Sequence, residues 1–267
     1  MTGRSLIRLS CVGVCLGAAA CSSWKPAQPA LPARSIELDQ LIIYSDSPLP
    51  KHHRLLEELA AQRATLSTLL ALPVSDEPIH VYLFRDSRQF KAFLRAQHPD
   101  FPDRRAFFVE TDIKLSVYAF WGDRVAEDLR HEVAHGYLHS VVPRLPLWLD
   151  EGLAEYFEVP HGQHGLNLPH VQLIDSVPKG QWRPEMRRLE ALRSAGDMTQ
   201  ADYAESWAWV HFLLETTPER RQLLQRHLQA LRKDQALDPL SVQVNRAEPD
   251  CERKLIEYVA GLAKGLR

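Results

Sequence analysis

The sequence predicts an α+β fold, a small mixed sheet with helices followed by a helical C-terminal half. Short runs rich in β-branched and aromatic residues, one of them strictly alternating, all fall before residue 122. Beyond Gly122-Asp123 the apolar residues recur at helical spacing to the end of the chain. Pro218 and Pro249 stand at first-turn positions there, where a missing N–H breaks no helical bond.

A first strand is expected at 38–44. A helix at about 49–72 places Leu55, Leu59, Leu66 and Leu70 near helical spacing, and Pro73 stops it. A second strand covers 79–84. Asp86 or Ser87 caps a short helix through Phe90 and Phe93. Two more strands fall at 105–109 and 114–121, where Leu115, Val117 and Ala119 alternate with Ser116, Tyr118 and Phe120. Asp123 is the expected N-cap of a helix reaching His139, and Pro143 and Pro146 mark the turn into a helix at 147–157. Residues 159–184 read as loop. Further helices are expected near 184–194, 199–215, 218–233 and 249–262. The organisation is thus an α/β subdomain with an edge strand at 36–122 and a helical subdomain at 123–267.

The 267 residues are 45% hydrophobic, enough for the core of one compound domain or two small ones. Net charge is -2, with basic and acidic residues interspersed, so no basic face invites nucleic acid. Residues 1–20 read as a targeting signal: Arg4 and Arg8 without an acid, then an apolar run at 9–20, too short to span a bilayer. It ends in Ala18-Ala19-Ala20-Cys21-Ser22, which resembles the lipobox of bacterial lipoproteins. That resemblance implies lipidation of Cys21. Ser22 at the second mature position then implies the outer membrane, facing the periplasm. A plain secretory signal is the other reading. Pro26, Pro29 and Pro32, interleaved with alanine, make 21–35 a tether. Cys251 alone remains for the mature chain, without a disulfide partner, and is read as packing in the last helix.

Chemistry concentrates in Leu129-Arg130-His131-Glu132-Val133-Ala134-His135, an H-E-x-x-H on the 123–139 helix. Residues four apart share a helix face, so both imidazoles reach one metal ion at about 2.0–2.1 Å. Glu132 stands beside them, where it can take a proton from water. A third histidine ligand six residues on is ruled out, since that position is Val141. His139 shares the His135 face, but each turn advances about 5.4 Å, so three histidines cannot converge on one ion. It is assigned a polar helix-end role. Two histidines leave room for a carboxylate and an open fourth position, as in catalytic zinc sites. Glu151, Glu155 and Glu158 compete to be that carboxylate, and Asp150 points about 100° away. The turn at 143–146 reverses the chain and brings the first turn of the next helix nearest the metal, which favours Glu151. Gly152 beside it removes a side chain where helices and metal approach.

After H-E-x-x-H, the stretch from Trp148 to Glu158 reads W-L-D-E-G-L-A-E-Y-F-E. This resembles the gluzincins, especially the aminopeptidase-N-like and related peptidase MA groups. The resemblance covers the two motif helices and, loosely, the helices after them. It implies a zincin-like fold, Zn2+ held by His131, His135 and Glu151, and Glu132 activating the attacking water. Glu158 matches the last motif position and Glu155 has the better helical register; one orients a ligand and the other is solvated. Tyr203 looks like the residue that hydrogen-bonds the developing oxyanion in such enzymes. It also belongs to an apolar stripe with Trp207, Val210 and Leu214, so a core tyrosine is an equal reading. His211 is a second candidate for that role. His161, His164 and His170 are read as solvated or cleft residues. The 114–121 strand would be the edge that aligns an extended peptide, with Tyr118 and Phe120 as cleft surface or as ordinary core.

The expected function is a zinc-dependent metallopeptidase of the cell envelope, acting on a peptide or protein and held to the membrane by an N-terminal lipid. The absence of a G-x-M-E-N motif before His131 leans toward endopeptidase action. Two other readings stand beside it. One is a non-enzymatic envelope lipoprotein that keeps the zinc fold as a binding or assembly scaffold, against which an intact Glu132 argues. The other is a zinc hydrolase acting on a non-peptide bond.

Overall fold

The computed structural model describes residues 30–50, 52–99, 101 and 103–266. The expected signal at 1–20, Cys21 and the tether as far as residue 29 lie outside the described residues. The expected first strand is two strands, β1 (Arg34–Leu38) and β2 (Leu41–Ser45), joined by a tight turn. Asp39 enters the left-handed region there, with φ 54°, which aspartate tolerates better than most residues. β1 therefore takes two residues from the expected tether.

Helix α1 (Arg54–Leu70) starts later than expected, after a non-helical segment with Pro48 and Pro50. β3 (Ile79–Phe84) leads to α2 (Ser87–Gln97), capped by Asp86, whose carboxylate accepts the Gln89 N–H at 2.9 Å. β4 (Ala106–Thr111) and β5 (Lys114–Phe120) form a hairpin. The mixed sheet has the order β1-β2-β3-β5-β4, with β2, β3 and β5 parallel and the two outer pairs antiparallel.

Interior parallel strands are covered on both faces. Leu115, Val117 and Ala119 join the main core, while Tyr118 and Phe120 pack with Phe90 and Phe93 of α2. This corrects the edge-strand expectation. β5 lies between β3 and β4, so the terminal strand on that side is β4, and Tyr118 and Phe120 are half-buried against α2.

The second half is helical: α3 (Val125–His139), α4 (Leu147–Phe157), α5 (Leu168–Asp175), α6 (Met186–Glu190), α7 (Gln200–Glu215), α8 (Pro218–Arg232), α9 (Leu240–Ala247) and α10 (Cys251–Gly265). Arg124, not Asp123, sits at the start of α3, and no side chain caps it. The expected loop at 159–184 contains α5, and α9 had no counterpart in the sequence reading. Cys251 is buried at the start of α10. Among the described residues no helix is long and apolar enough to cross a membrane.

Two close approaches place the site. A Cβ on Gly136 would lie 2.9 Å from Ile79 Cγ2, so α3 rests directly on β3. A Cβ on Gly152 would lie 2.6 Å from the Ser206 carbonyl oxygen, so α4 rests on α7. The clearance at Gly152 thus serves α7 and not the α3 side. From behind, α1 steadies α3: Tyr137 donates to Leu59 O at 3.0 Å and Gln62 to Arg130 O at 2.9 Å.

Candidate metal centre

His131 and His135 project from one face of α3, and Glu151 meets them from the first turns of α4. The two Nε2 atoms are 3.2 Å apart, and Glu151 Oε2 lies 3.5 and 3.7 Å from them. Ligand atoms placed 2.0–2.1 Å from a tetrahedral ion stand about 3.3 Å apart. The triangle therefore fits a single small cation, and among the described residues these three form one of three His/carboxylate groups that could hold a metal ion.

The donor set makes the same point. Each ring turns its Nδ1 to a carboxylate: His135 to Asp150 Oδ1 at 2.9 Å, His131 to Glu158 Oε2 at 3.2 Å. A neutral ring held this way carries its proton on Nδ1 and leaves the Nε2 lone pair bare. Two lone pairs and a carboxylate oxygen then face one another with no hydrogen between them, an arrangement that only a cation or added protons relieve. The surrounding carboxylates favour such protons. Burial opposes charge on both rings, yet Glu151 and Glu158 raise the His131 pKa well above its ordinary value, and Asp150 raises that of His135. Burial would raise the Glu151 pKa, but the two histidines hold it low.

Behind His135, Asp150 Oδ2 meets His139 Nε2 at 2.9 Å, and His139 Nδ1 meets Glu110 Oε2 of β4 at 2.6 Å. With both nitrogens on carboxylates, His139 is held as an imidazolium; burial opposes this, but Asp150 and Glu110 lift its pKa to about 9. Phe108 of β4 lies against both rings, its centroid 5.8 Å from His135 and 5.0 Å from His139. The helix-end role expected for His139 fits this placement. Asp150 was set aside as a ligand, and the sequence reading missed what it does. The rotation of about 100° that turns it from Glu151's direction brings it behind the His135 ring.

Behind His131, Glu158 is the carboxylate on the ring, and Asn167 donates to its other oxygen at 2.6 Å. Glu155 meets His170 Nε2 at 2.7 Å. Both Glu155 and His170 are buried, which corrects the expectation that one glutamate and His170 would face solvent or a cleft. His161 and His164 are exposed. His211 packs between Trp207 and Tyr258 and shares a hydrogen bond of 2.8 Å with the Tyr258 hydroxyl, so its partners are core groups of α7 and α10.

Glu132 makes no hydrogen bond or ion pair with another described residue. Burial raises its pKa, and His131 and His135 pull against that rise. Tyr203 sits in the first turn of α7, which a reciprocal Thr199–Asp202 capping box fixes. Its ring is buried, as the core stripe requires, and its hydroxyl accepts a hydrogen bond from Arg104 Nη2 at 3.3 Å. Burial raises the phenol pKa, and the Glu151 carboxylate adds to the rise. Arg104 was not foreseen; it stands in an irregular segment before β4 and carries no motif. A cavity of about 810 Å³ opens between α1, the end of α4 and α8, lined by Leu69, Tyr156, Phe157 and Glu215 among others. None of the metal-facing residues lines it.

Residues 125–238, which span α3 to α8 and carry both motifs, match a family described as proteins of unknown function (DUF1570). No curated protein matches the chain.

Proposed function

We propose that the protein is a zinc-dependent metallopeptidase of the zincin-like class, with His131, His135 and Glu151 as the zinc ligands and Glu132 as the general base. The observation that carries the reading is the convergence of two imidazole lone pairs and one carboxylate oxygen within 3.2–3.7 Å, each ring backed by its own carboxylate. Bound zinc supplies the positive charge that polarises a substrate carbonyl. The other steps belong to the chain. Glu132, which pairs with no described residue and whose pKa is raised, takes a proton from the attacking water and returns it to the leaving amine as the C–N bond breaks. Tyr203 donates its hydroxyl proton to the oxygen that gains negative charge. The outer edge of β4, the terminal strand on the side of the metal-facing histidines, offers backbone groups to an extended peptide, with Phe108 beside those rings.

The envelope location and the lipid on Cys21 form part of the same proposal, supported by the Arg4, Arg8 and Ala18–Cys21 pattern. The direct experiment is cleavage of a peptide library by the zinc-loaded protein, with Glu132→Gln as control. Products from the wild type and none from the variant support the reading. Equal turnover by both, or no cleavage by a fully loaded wild type, contradicts it.

A further inference from the structure

We propose that Arg104 is a positioning residue for Tyr203, holding the phenol so that its own proton points to the oxygen that gains negative charge; this rests on the metallopeptidase reading above. A guanidinium only donates, so in the 3.3 Å contact the Tyr203 oxygen accepts. With that lone pair engaged, the phenol O–H turns away from Arg104. Glu151 and His131 are close enough for their charges to act on the phenol. Arg104 in turn feels Tyr203, Glu151 and Glu132.

The neighbours of Arg104 show why it is singled out. Lys91 pairs with Asp103, Arg124 with Glu127, and Arg105 with Asp128 through Nε and Nη2. Arg104 forms no ion pair with a described carboxylate, although Glu151 and Glu132 are close enough for their charges to act on it. Its charge is therefore tied to no single described carboxylate where negative charge develops in the reaction.

Both ends of the contact are anchored. The two-pronged Arg105–Asp128 pair ties the segment ahead of β4 to the first turn of α3. On the other side, the capping box and the ion pairs of Arg188 with Asp202 and Glu205 hold the first turns of α7. The Arg104–Tyr203 contact therefore joins the strand half to the helical half at the metal-facing cluster. Held at both ends, it can orient a hydroxyl at little further entropic cost.

The test is a double-mutant cycle on zinc-loaded protein with Arg104→Ala, Arg104→Lys, Tyr203→Phe and Arg104→Ala/Tyr203→Phe. Zinc content and melting midpoint serve as structural controls. The expected result is a fall of about 10-fold in kcat for Arg104→Ala with KM little changed, partial recovery in Arg104→Lys, and a double variant no worse than Tyr203→Phe alone. A purely structural Arg104 would shift zinc content or melting without this non-additivity. Independent, additive losses overturn the proposal, as does a change confined to KM, which would mean that Arg104 grips substrate directly. Affinity for inorganic phosphate, measured by calorimetry across the same variants, gives a readout without turnover. If the wild type cleaves no peptide, the peptidase reading fails by itself. The phosphate cycle then decides: weakened, non-additive binding retains the Arg104–Tyr203 coupling, and additive or unchanged binding overturns it.

Discussion

His135 of α3 and the histidines of α7 and α8 are equally hidden from water yet behave in opposite ways. His135 is 6% exposed, and His211 and His227 are each 4% exposed. His211 shares its hydrogen bond with a tyrosine hydroxyl and His227 with the Gln243 amide at 2.9 Å; burial drives the pKa of each down to about 4. His131, His135 and His139 are backed by Glu158, Asp150 and Glu110, and their pKa values are raised. Burial alone thus makes a neutral core histidine. A carboxylate behind the ring makes one that attracts a cation.

The sharpest way to break this comparison is to remove the convergent carboxylate. Glu151→Ala leaves two histidines and is expected to lose nearly all zinc on dialysis at neutral pH; retained stoichiometric zinc would move the ligand elsewhere. Glu132→Gln separates binding from chemistry. It is expected to keep its zinc and to lose at least about 10²-fold in turnover, measured on any peptide the wild type cleaves. Next come the carboxylates behind the rings. Asp150→Asn and Glu158→Gln are each expected to weaken zinc affinity by about 10–100-fold in competition with a chelator. Glu155→Gln should cost less, because its carboxylate meets His170 and not a metal-facing ring. A Glu155→Gln loss as large as that of Glu158→Gln would reverse that order.

The smallest effect concerns the neutral histidines. His227 titrates near 4 when folded and near its ordinary 6.5 when unfolded. As pH falls below about 6.5 the unfolded chain takes up the proton first, so this contribution to stability is present above about 6.5 and is lost as pH falls through about 4. His227→Gln should therefore flatten the decline of the melting midpoint over that window relative to wild type. A parallel decline in both proteins would contradict a neutral, buried His227.

What was legible in the sequence was what one helix can encode. The spacing of His131 and His135 repeats with the helical period, so local geometry brings both to one face of α3, and Glu151 stood out through the motif that follows the turn at 143–146. Asp150 was not legible as a partner of His135, because its role depends on how α4 is rotated against α3. Arg104 reaches Tyr203 across 99 residues of chain, and no local pattern announces such a contact. The same limit applies to the sheet. The alternation in β5 located the strand and its two faces, but strand order is a tertiary property, and it made β4 the edge. The helices α5 and α9 are eight residues each, too short for a periodic signal to stand out, and α5 is preceded by a segment with Pro160, Gly162 and Gly165. Asp39 split the first strand through a left-handed turn that its β-rich surroundings concealed.

The central claim is that His131, His135 and Glu151 form one zinc site. Zinc-edge X-ray absorption on the dialysed, zinc-loaded protein tests it most directly. The account predicts one ion per chain, with two imidazoles and oxygen neighbours at about 2.0–2.1 Å, and loss of that signal in Glu151→Ala. A sulfur neighbour, fewer than two imidazoles, or a wild type that retains no zinc would contradict it.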